Sequence, residues 1–571
     1  MNWTVAFASI LVASFGWTTV SFISNYNAAR KIGLPIVLSP VHLLNPFWII
    51  TYKVFPAILL LKYLPFGLGT WARCTYIGWQ FHEKHALHNE LGSVFLIVTP
   101  GGNEASVADA QVAHTILSQR KEFIKPAIMY KPLDIFGPNL NTVEGEDWQR
   151  QRRLTAPSFN ERTSSLVWAE ALRQTTEMAQ SWADQGRKGT METVPDTATV
   201  ALHVLTSVGF GLSYPFHGGL RDLPAGHAMT YRDALALCLR NTFTFSIFSR
   251  KTLSRSFLPK KLRDLGLAIK EFQTYMEEML SRQQAVGEGH EHESTNLMSA
   301  LVRASEEAQR TQDKSGSGRL GLTDDEIFGN IFAFNLAGHE TTANTLAASL
   351  MLLAAHPECQ EWLAEEIHQV LESSKGTESW KYEEVFPKLQ RCLAVMYETL
   401  RLYGSIVFMP RTTGLHSQTL TMQNTTHVLP PNTSISINVE GLHTDPKPWG
   451  PDALVWRPSR WLRPSQAEKA TNPRTIQESF IEPDPGTFIA WADGPRSCVG
   501  RKFSQVEFVA VLAALFSQYR VRPVLRAGET EADGQKELQN MVDNSAIFAI
   551  TLQMREPRKR ALRWEKRTLD G

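Results

Sequence analysis

Residues 491–500 read Trp491-Ala492-Asp493-Gly494-Pro495-Arg496-Ser497-Cys498-Val499-Gly500, a loop rich in Gly and Pro that leads into an apolar run from about Val499 to Phe516. The run has the length and apolarity of a buried helix. Cys498 therefore stands at a helix N-terminus, where backbone N–H groups and the positive end of the helix dipole favour thiolate over thiol. Arg496, Arg501 and Lys502 push the same way. A lone Cys is more often an inert core residue, but the glycines on both sides imply that something flat and large comes close to this backbone. A metal held by one thiolate is the natural hypothesis.

The longest helical signal opens at Thr323-Asp324-Asp325-Glu326, where Thr323 can cap and Glu326 can reach back from three residues on. Pro357 disfavours continuation past His356, which leaves a helix of over thirty residues, apolar nearly all round, that must cross the middle of its domain. At its centre lies Ala337-Gly338-His339-Glu340-Thr341-Thr342. Glycine inside a buried helix costs about 1 kcal/mol relative to alanine, so Gly338 asks for a reason such as close approach of a ligand. Helical spacing puts Phe334, Ala337, Gly338 and Thr341 on one face. A Thr beside an acid on a locally loosened helix can hold water and relay protons. The plainer alternative is that Thr341 back-bonds to a carbonyl and Glu340 pairs with a base elsewhere. His339-Glu340 begins an H-E-x-x-H pattern, but Ala343 stands where the second His belongs, so zincin chemistry fails.

Tyr397-Glu398-Thr399-Leu400-Arg401-Leu402 sets Glu398 and Arg401 three apart on an apolar helix. An isolated surface pair of this kind contributes under about 1 kcal/mol. Arg460, in Trp456-Arg457-Pro458-Ser459-Arg460-Trp461, lies between aromatic residues that call for burial, and an acid with two arginines would form a structural triad.

Taken together these segments resemble the cytochromes P-450, the haem-thiolate monooxygenases. The family's ligand signature of an aromatic, then Gly, Arg, Cys and Gly is matched by Trp491, Gly494, Arg496, Cys498 and Gly500, with Trp491 where Phe is usual. Its Glu-x-x-Arg pair is matched by Glu398 and Arg401, its Pro-x-Arg motif by Pro458 and Arg460 with Ser459 where Glu is common, and its Gly-x-acid-Thr-Thr motif by Ala337 to Thr342. A Trp-x-x-x-Arg motif stands at Trp148 and Arg152. All five occur in the family's order from about Trp148 to the C-terminal helix.

The resemblance implies a mainly α fold with a small β region, a long central helix, and haem buried between helices. Heme b would be ligated by the Cys498 thiolate, and electron donation from sulfur favours O–O cleavage. Trp148, Arg152, Arg411 and Arg496 would bind the haem propionates, Gly338 would make room for dioxygen, and Glu340 with Thr341 would deliver protons. Glu398, Arg401 and Arg460 become structural rather than catalytic. Electrons must come from outside, because only about fifty-five residues follow the helix after Cys498, fewer than an ordinary reductase domain needs. A separate NADPH-cytochrome P-450 reductase is implied as partner, docking near Arg496, Arg501 and Lys502. By the same analogy the pocket draws on Ile128, Met129, Tyr130, Leu133 and Phe136, on Phe334 and Asn335, on residues 406–409, and on Ala546-Ile547-Phe548; these are mostly apolar and suit a lipophilic substrate. Segments such as Asn45-Pro46-Phe47-Trp48 look like those of filamentous-fungal members that modify terpenoid or polyketide intermediates. A haem-thiolate isomerase or dehydratase, which needs no oxygen activation, is one alternative, and retention of Glu340 and Thr341 argues against it. The other is a membrane haem-binding protein without turnover.

Composition sets the outer bounds. The 571 residues carry 58 Lys+Arg against 57 Asp+Glu, which argues against nucleic acid as a partner, and 43% hydrophobic residues exclude general disorder. Five cysteines are too few and odd in number for a disulfide framework. No charge occurs before Arg30, and Trp3 to Ile23 would span about 31 Å as a helix at about 1.5 Å per residue, so residues 1–30 are expected to form a single-pass transmembrane anchor. Arg30 and Lys31 follow the apolar run, which argues against a signal peptide and places the catalytic domain on the cytosolic side of, by family, the endoplasmic reticulum membrane. Residues 31–70 read as a membrane-proximal interfacial segment, 71–554 as the haem-thiolate monooxygenase domain, and 555–571, with seven basic and three acidic residues, as a basic tail that is solvated or touches the membrane surface.

Overall fold

A computed structural model describes the chain except for residues 1–2, 218–222, 242–243, 246–247, 249, 254, 288–295, 316–319, 373–376, 465–477, 549 and 568–571. The chain divides into two compact units, the first Met1–Pro126, Ile406–Val455 and Pro483–Ser497, the second Ala127–Ser405, Trp456–Glu482 and Cys498–Gly571. These units follow packing between distant segments, so they cut across the boundaries at 30, 70 and 554 that composition suggested.

The first unit is organised by a five-stranded mixed sheet in the order Ile36–Leu38, Val94–Thr99, Gly102–Val107, Ser434–Asn438, Phe408–Thr412. Val94 to Thr99 turns through Pro100-Gly101 and returns antiparallel, with Gly102 at φ +138, a conformation open to glycine. Ser434–Asn438 adds in parallel with Glu104 opposite Ser434, and Phe408–Thr412 closes antiparallel. Leu96, Val98, Ala105, Ile435 and Ile437 form the buried face with Ile116 and Leu117 of the Ala110–Ser118 helix.

The N-terminal helix runs from Trp3 to Arg30, and its last turns dock on this sheet: Asn25 Nδ2 donates to Thr99 O at 2.9 Å, and Ala29 is fully buried. Among the described residues no helix is long and apolar enough to cross a membrane. The span expected over 1–30 is thus not carried by those residues; side chains at 4–8, 10 and 11 lie outside them, and Ser14, Thr18, Thr19, Ser21 and Asn25 dilute the apolarity of the rest. In residues 31–70, Pro46–Val54 is a helix capped by Asn45, followed by a 3-10 turn at Pro56–Tyr63. Trp48 and Tyr52 are buried, while Phe47, Ile50, Val54, Phe55, Leu60, Tyr63 and Phe66 are exposed.

The second unit is built around the Asp324–Ala355 helix, 32 residues with both halves of the Thr323–Glu326 capping box formed. Glu326 also takes a bidentate pair from Arg150, Nη1 at 2.9 Å and Nη2 at 2.6 Å, which fixes the Gly145–Thr155 helix to the start of the central one. The central helix packs along Thr193–Phe210 and against Gln390–Leu402 and Glu531–Asp543. Phe136, Phe272, Phe332, Ile331 and Met276 lie in the adjoining core.

The basic C-terminal stretch is not a solvated tail. Leu562–Lys566 pairs antiparallel with Tyr519–Pro523, because Leu562 and Trp564 alternate with charged residues and bury one face of a strand. Among its seven cations, Arg560 pairs within the unit with Glu529 at 2.8 Å, Arg567 with Glu361 at 2.6 Å and Arg563 with Glu565 at 2.8 Å.

Glu507, on the Arg501–Phe516 helix, is fully buried, and neither carboxylate oxygen has a hydrogen-bond partner among the described residues. Burial pushes its carboxyl well above the usual carboxylate range. A carboxyl raised in the folded state costs stability as pH climbs above its unfolded value. Glu507→Leu is therefore expected to raise stability by about 1 kcal/mol at neutral pH and to flatten its decline toward alkaline pH, read by thermal unfolding across pH. A lowered Tm would show that the carboxyl has a partner.

Candidate active site

The loop that precedes Cys498 is held to the first unit by specific contacts. Asp493 accepts from Gly494 N at 2.6 Å and lies 2.7 Å from His114 Nδ1 on the Ala110–Ser118 helix. Gly494 has φ +66, and a Cβ there would meet Leu117 O at 2.8 Å. The glycine thus answers to helix packing, not to an approaching ligand. Arg496 ends the short 3-10 turn Gly494–Arg496. Arg411, in the same unit, is buried in the edge strand opposite Ile435 and donates from Nη1 to Pro410 O at 2.8 Å.

Cys498 opens the second unit's Arg501–Phe516 helix, whose N-cap is Gly500. Solvent reaches the Cys498 side chain although it lies deep, and that depth pushes its thiol above the ordinary value. The Gly500 N–H and the Arg152 guanidinium pull the other way. The net direction departs from the depressed thiol expected from the helix terminus and its cations. Arg501 donates instead to Tyr397 OH at 2.7 Å, and Lys502 lies 4.4 Å from the Phe386 ring centroid, so neither is spent on sulfur. Desolvation outweighs one amide and one guanidinium. A cation at the sulfur would reverse that balance, since a coordinated thiol is deprotonated. A Cβ at Gly500 would sit 3.8 Å from Cys498 Sγ, an ordinary van der Waals contact.

The central helix is buried at both ends but not in the middle. Residues 342–343 and 345–355 are buried, whereas Ala337 is exposed and Gly338, Glu340 and Thr341 are half-buried. An accessible window at the centre of a long core helix is where a flat group can lie against backbone. Thr341 Oγ1 donates to Ala337 O at 2.7 Å, and Thr341 O accepts from Thr345 Oγ1 at 2.8 Å and Ser405 Oγ at 3.2 Å. The back-bond expected for Thr341 is present, and it brings the hydroxyl to the carbonyl of the window. Gly338 has a packing reason the sequence did not suggest: a Cβ would meet Leu205 Cδ2 of the Thr193–Phe210 helix at 3.2 Å. Glu340 Oε1 accepts from Gln553 Nε2.

Trp148 is buried and Arg152 half-buried, one turn apart on the Gly145–Thr155 helix. Burial lowers the Arg152 pKa and the charge of Cys498 raises it, which ties these two residues electrostatically. Glu398 accepts from Arg401 Nε at 2.8 Å and Arg460 Nε at 2.8 Å, so the triad forms.

The residues expected to line a pocket fare unequally. Phe334 remains partly accessible, edge-on to Phe159 at 5.6 Å, and Ile128 is exposed. Phe136 instead fills the core between Phe272 and Phe332, and Asn335 accepts from Tyr231 OH at 2.6 Å. Val407 and Met409 are buried in the first unit. Ala546 and Ile547 are half-buried on the strand Ser545–Phe548, and the Phe548 side chain lies outside the described residues.

Three functional contacts were not anticipated: Arg150 on Glu326, Ser405 on Thr341, and Gln553 on Glu340. Alternation of polar Thr551 and Gln553 around apolar Leu552 carried a signal for the last.

The donor set fits haem held by one thiolate: a solvent-reachable deep sulfur, a glycine beside it, a guanidinium near it, and an accessible window at mid-helix. Comparison with known proteins agrees. A family model described as Cytochrome P450 matches residues 63–541. A cytochrome P450 monooxygenase of Arthrobotrys oligospora is 30% identical over 532 residues, 89% of each chain. A phomenoic acid biosynthesis cluster cytochrome P450 monooxygenase of Leptosphaeria maculans is 28% identical over 97% of each. A crystal structure of a cytochrome P450 (CYP102L1) has the same fold, with a TM-score of 0.64 at 18% identity over 86% of this chain and 98% of that one.

Proposed function

The chain belongs to the cytochrome P450 family and is an oxidoreductase, and on that premise we propose that it inserts one oxygen atom from O2 into a lipophilic secondary metabolite of the terpenoid or polyketide class. The balance is R–H + O2 + NADPH + H⁺ giving R–OH + H2O + NADP⁺, with electrons relayed by a membrane-anchored NADPH-dependent flavoprotein reductase. Bound haem supplies the reductive activation of dioxygen.

The observation that carries this reading is Cys498: a deep yet reachable thiol at the start of a buried helix, with the Gly500 N–H and the Arg152 charge on its sulfur. Arg152 and Trp148 would hold a haem propionate, for which guanidinium geometry suits a carboxylate. Thr341 and Glu340 hold and pass protons at the mid-helix window. The family membership of a biosynthetic-cluster relative supports a secondary-metabolite substrate.

The proposed setting is the endoplasmic reticulum membrane, with the catalytic domain cytosolic. Exposed Trp3, Val12, Phe15, Trp17, Val20 and Ile23 on the N-terminal helix support an anchor, and exposed Phe47, Phe55 and Phe66 support an interfacial neighbour to it. Aromatic side chains favour that depth.

The test is incubation of the membrane form with reductase, NADPH and candidate lipophilic compounds, with products read by mass. A product heavier by one oxygen is expected; no oxygenated product from any lipophilic class would overturn the reading. Thr341→Ala is expected to lower product about a hundredfold while NADPH is still consumed, the scale of a lost positioned proton donor. Unchanged product per NADPH would remove Thr341 from proton delivery.

A further inference from the structure

The hydrogen bonds around Glu340 close into a ring. Its Oε1 accepts from Gln553 Nε2, and the same amide nitrogen lies 3.1 Å from Thr551 Oγ1. Thr551 Oγ1 in turn accepts from Asn344 Nδ2 at 3.5 Å. Glu340 and Asn344 are four apart on one helix face, about 6 Å along its axis at about 1.5 Å per residue. Thr551 and Gln553 alternate on one face of a strand, about 6.6 Å apart at about 3.3 Å per residue. The two spacings agree, so strand and helix meet rung to rung.

The residue between them completes the circuit. Leu552 is buried, and its N–H donates to Ser405 O at 2.9 Å, while Ser405 Oγ donates to Thr341 O at 3.2 Å. Both members of the acid–alcohol pair are thereby tied to one element, the hairpin of Ser545–Phe548 and Thr551–Met554: Glu340 directly by Gln553, and Thr341 through Ser405.

We propose that Gln553 is a positioning residue for Glu340, so that the C-terminal hairpin sets where the proton-handling carboxylate points. The proposal rests on the reading of Glu340 as a proton-delivering acid.

The test compares Gln553→Leu, which removes the donor, with Gln553→Lys, which keeps one, and with Asn344→Leu, which removes only the neighbouring rung. The first readout needs no turnover: the carboxylate stretch of Glu340 in infrared difference spectra of the full-length holoprotein at rest, identified by its loss in Glu340→Gln. That band is expected to shift in Gln553→Leu and to stay near its wild-type position in Gln553→Lys and Asn344→Leu. The second is hydrogen peroxide released per NADPH oxidised with reductase in membranes, expected to rise in Gln553→Leu toward the level of Thr341→Ala. A band unmoved in Gln553→Leu overturns the contact. A shifted band with unchanged peroxide yield overturns the positioning role. If Glu340→Gln itself leaves the peroxide yield at the wild-type level, the underlying reading of Glu340 fails while the band shift still stands, so the two failures are told apart.

Discussion

Cys498→Ala is expected to abolish the red-shifted Soret band that the reduced protein shows with carbon monoxide, and product formation with it. The size of the effect follows from the absence of a substitute. Of the other four cysteines, Cys74, Cys238 and Cys392 are buried, and burial holds the Cys392 thiol well above the ordinary value. Cys359 is partly accessible, but burial and the nearby Glu358 and Glu398 charges push its thiol up to about 12. Only Cys498 combines an amide and a guanidinium acting on its sulfur with an exposed side chain. Thiolate ligation, not haem as such, produces the donation that favours O–O cleavage, so a variant that retained haem through another ligand would still lose the band and the chemistry. A red-shifted band surviving in Cys498→Ala, or missing from well-folded wild-type protein, would refute the assignment.

The same residue shows what a sequence reveals and what it withholds. The helix after Cys498 and the capping box at Thr323 depend on neighbours within a few residues, and each stands where local pattern put it. The direction of the Cys498 shift does not, because it is a sum over desolvation and one charge from Arg152, far away in the chain. Gly494 and Gly338 were visible as glycines asking for a reason, but the reasons, Leu117 O and Leu205, are tertiary. At the C-terminus a count of charges pointed to a tail, while alternation at Leu562 and Trp564 made a strand whose partner, Tyr519–Pro523, lies well upstream. Glu340 was legible as an acid in a motif; its partner Gln553 needed the fold.

Glu398→Gln is expected to cost the largest stability loss of any single change considered, about 3–5 kcal/mol, the scale of breaking a buried ion pair from one side. Glu398 is fully buried and accepts from five donors: Arg401 Nε at 2.8 Å, Arg401 Nη2 at 2.9 Å, Arg457 N at 2.8 Å, Arg460 Nε at 2.8 Å and Trp461 Nε1 at 3.0 Å. Glutamine keeps the shape but presents an NH2 to at least two of those donors and leaves the Arg401 and Arg460 guanidinium groups buried without their counter-charge. The surface pair Lys381–Glu384 has the same spacing at 3.1 Å, yet both side chains are mostly exposed, and its loss is expected to cost under about 1 kcal/mol. Burial, not spacing, sets the difference. The cost spreads because the triad sits in a wider network: Trp456 Nε1 donates to Thr399 Oγ1 at 3.2 Å, and Ser349 Oγ to the same hydroxyl at 2.9 Å, which joins the segment 456–461 and the Gln390–Leu402 helix to the central helix. Thermal unfolding should show Tm lower by about 2–4 °C in Glu398→Gln and by under about 1 °C in Glu384→Gln. Because Glu398 orders the helix beneath the central one and touches none of the proton-handling residues, the surviving folded fraction is expected to keep the red-shifted carbon monoxide band. A loss in Glu398→Gln no larger than in Glu384→Gln would refute the structural role of the triad.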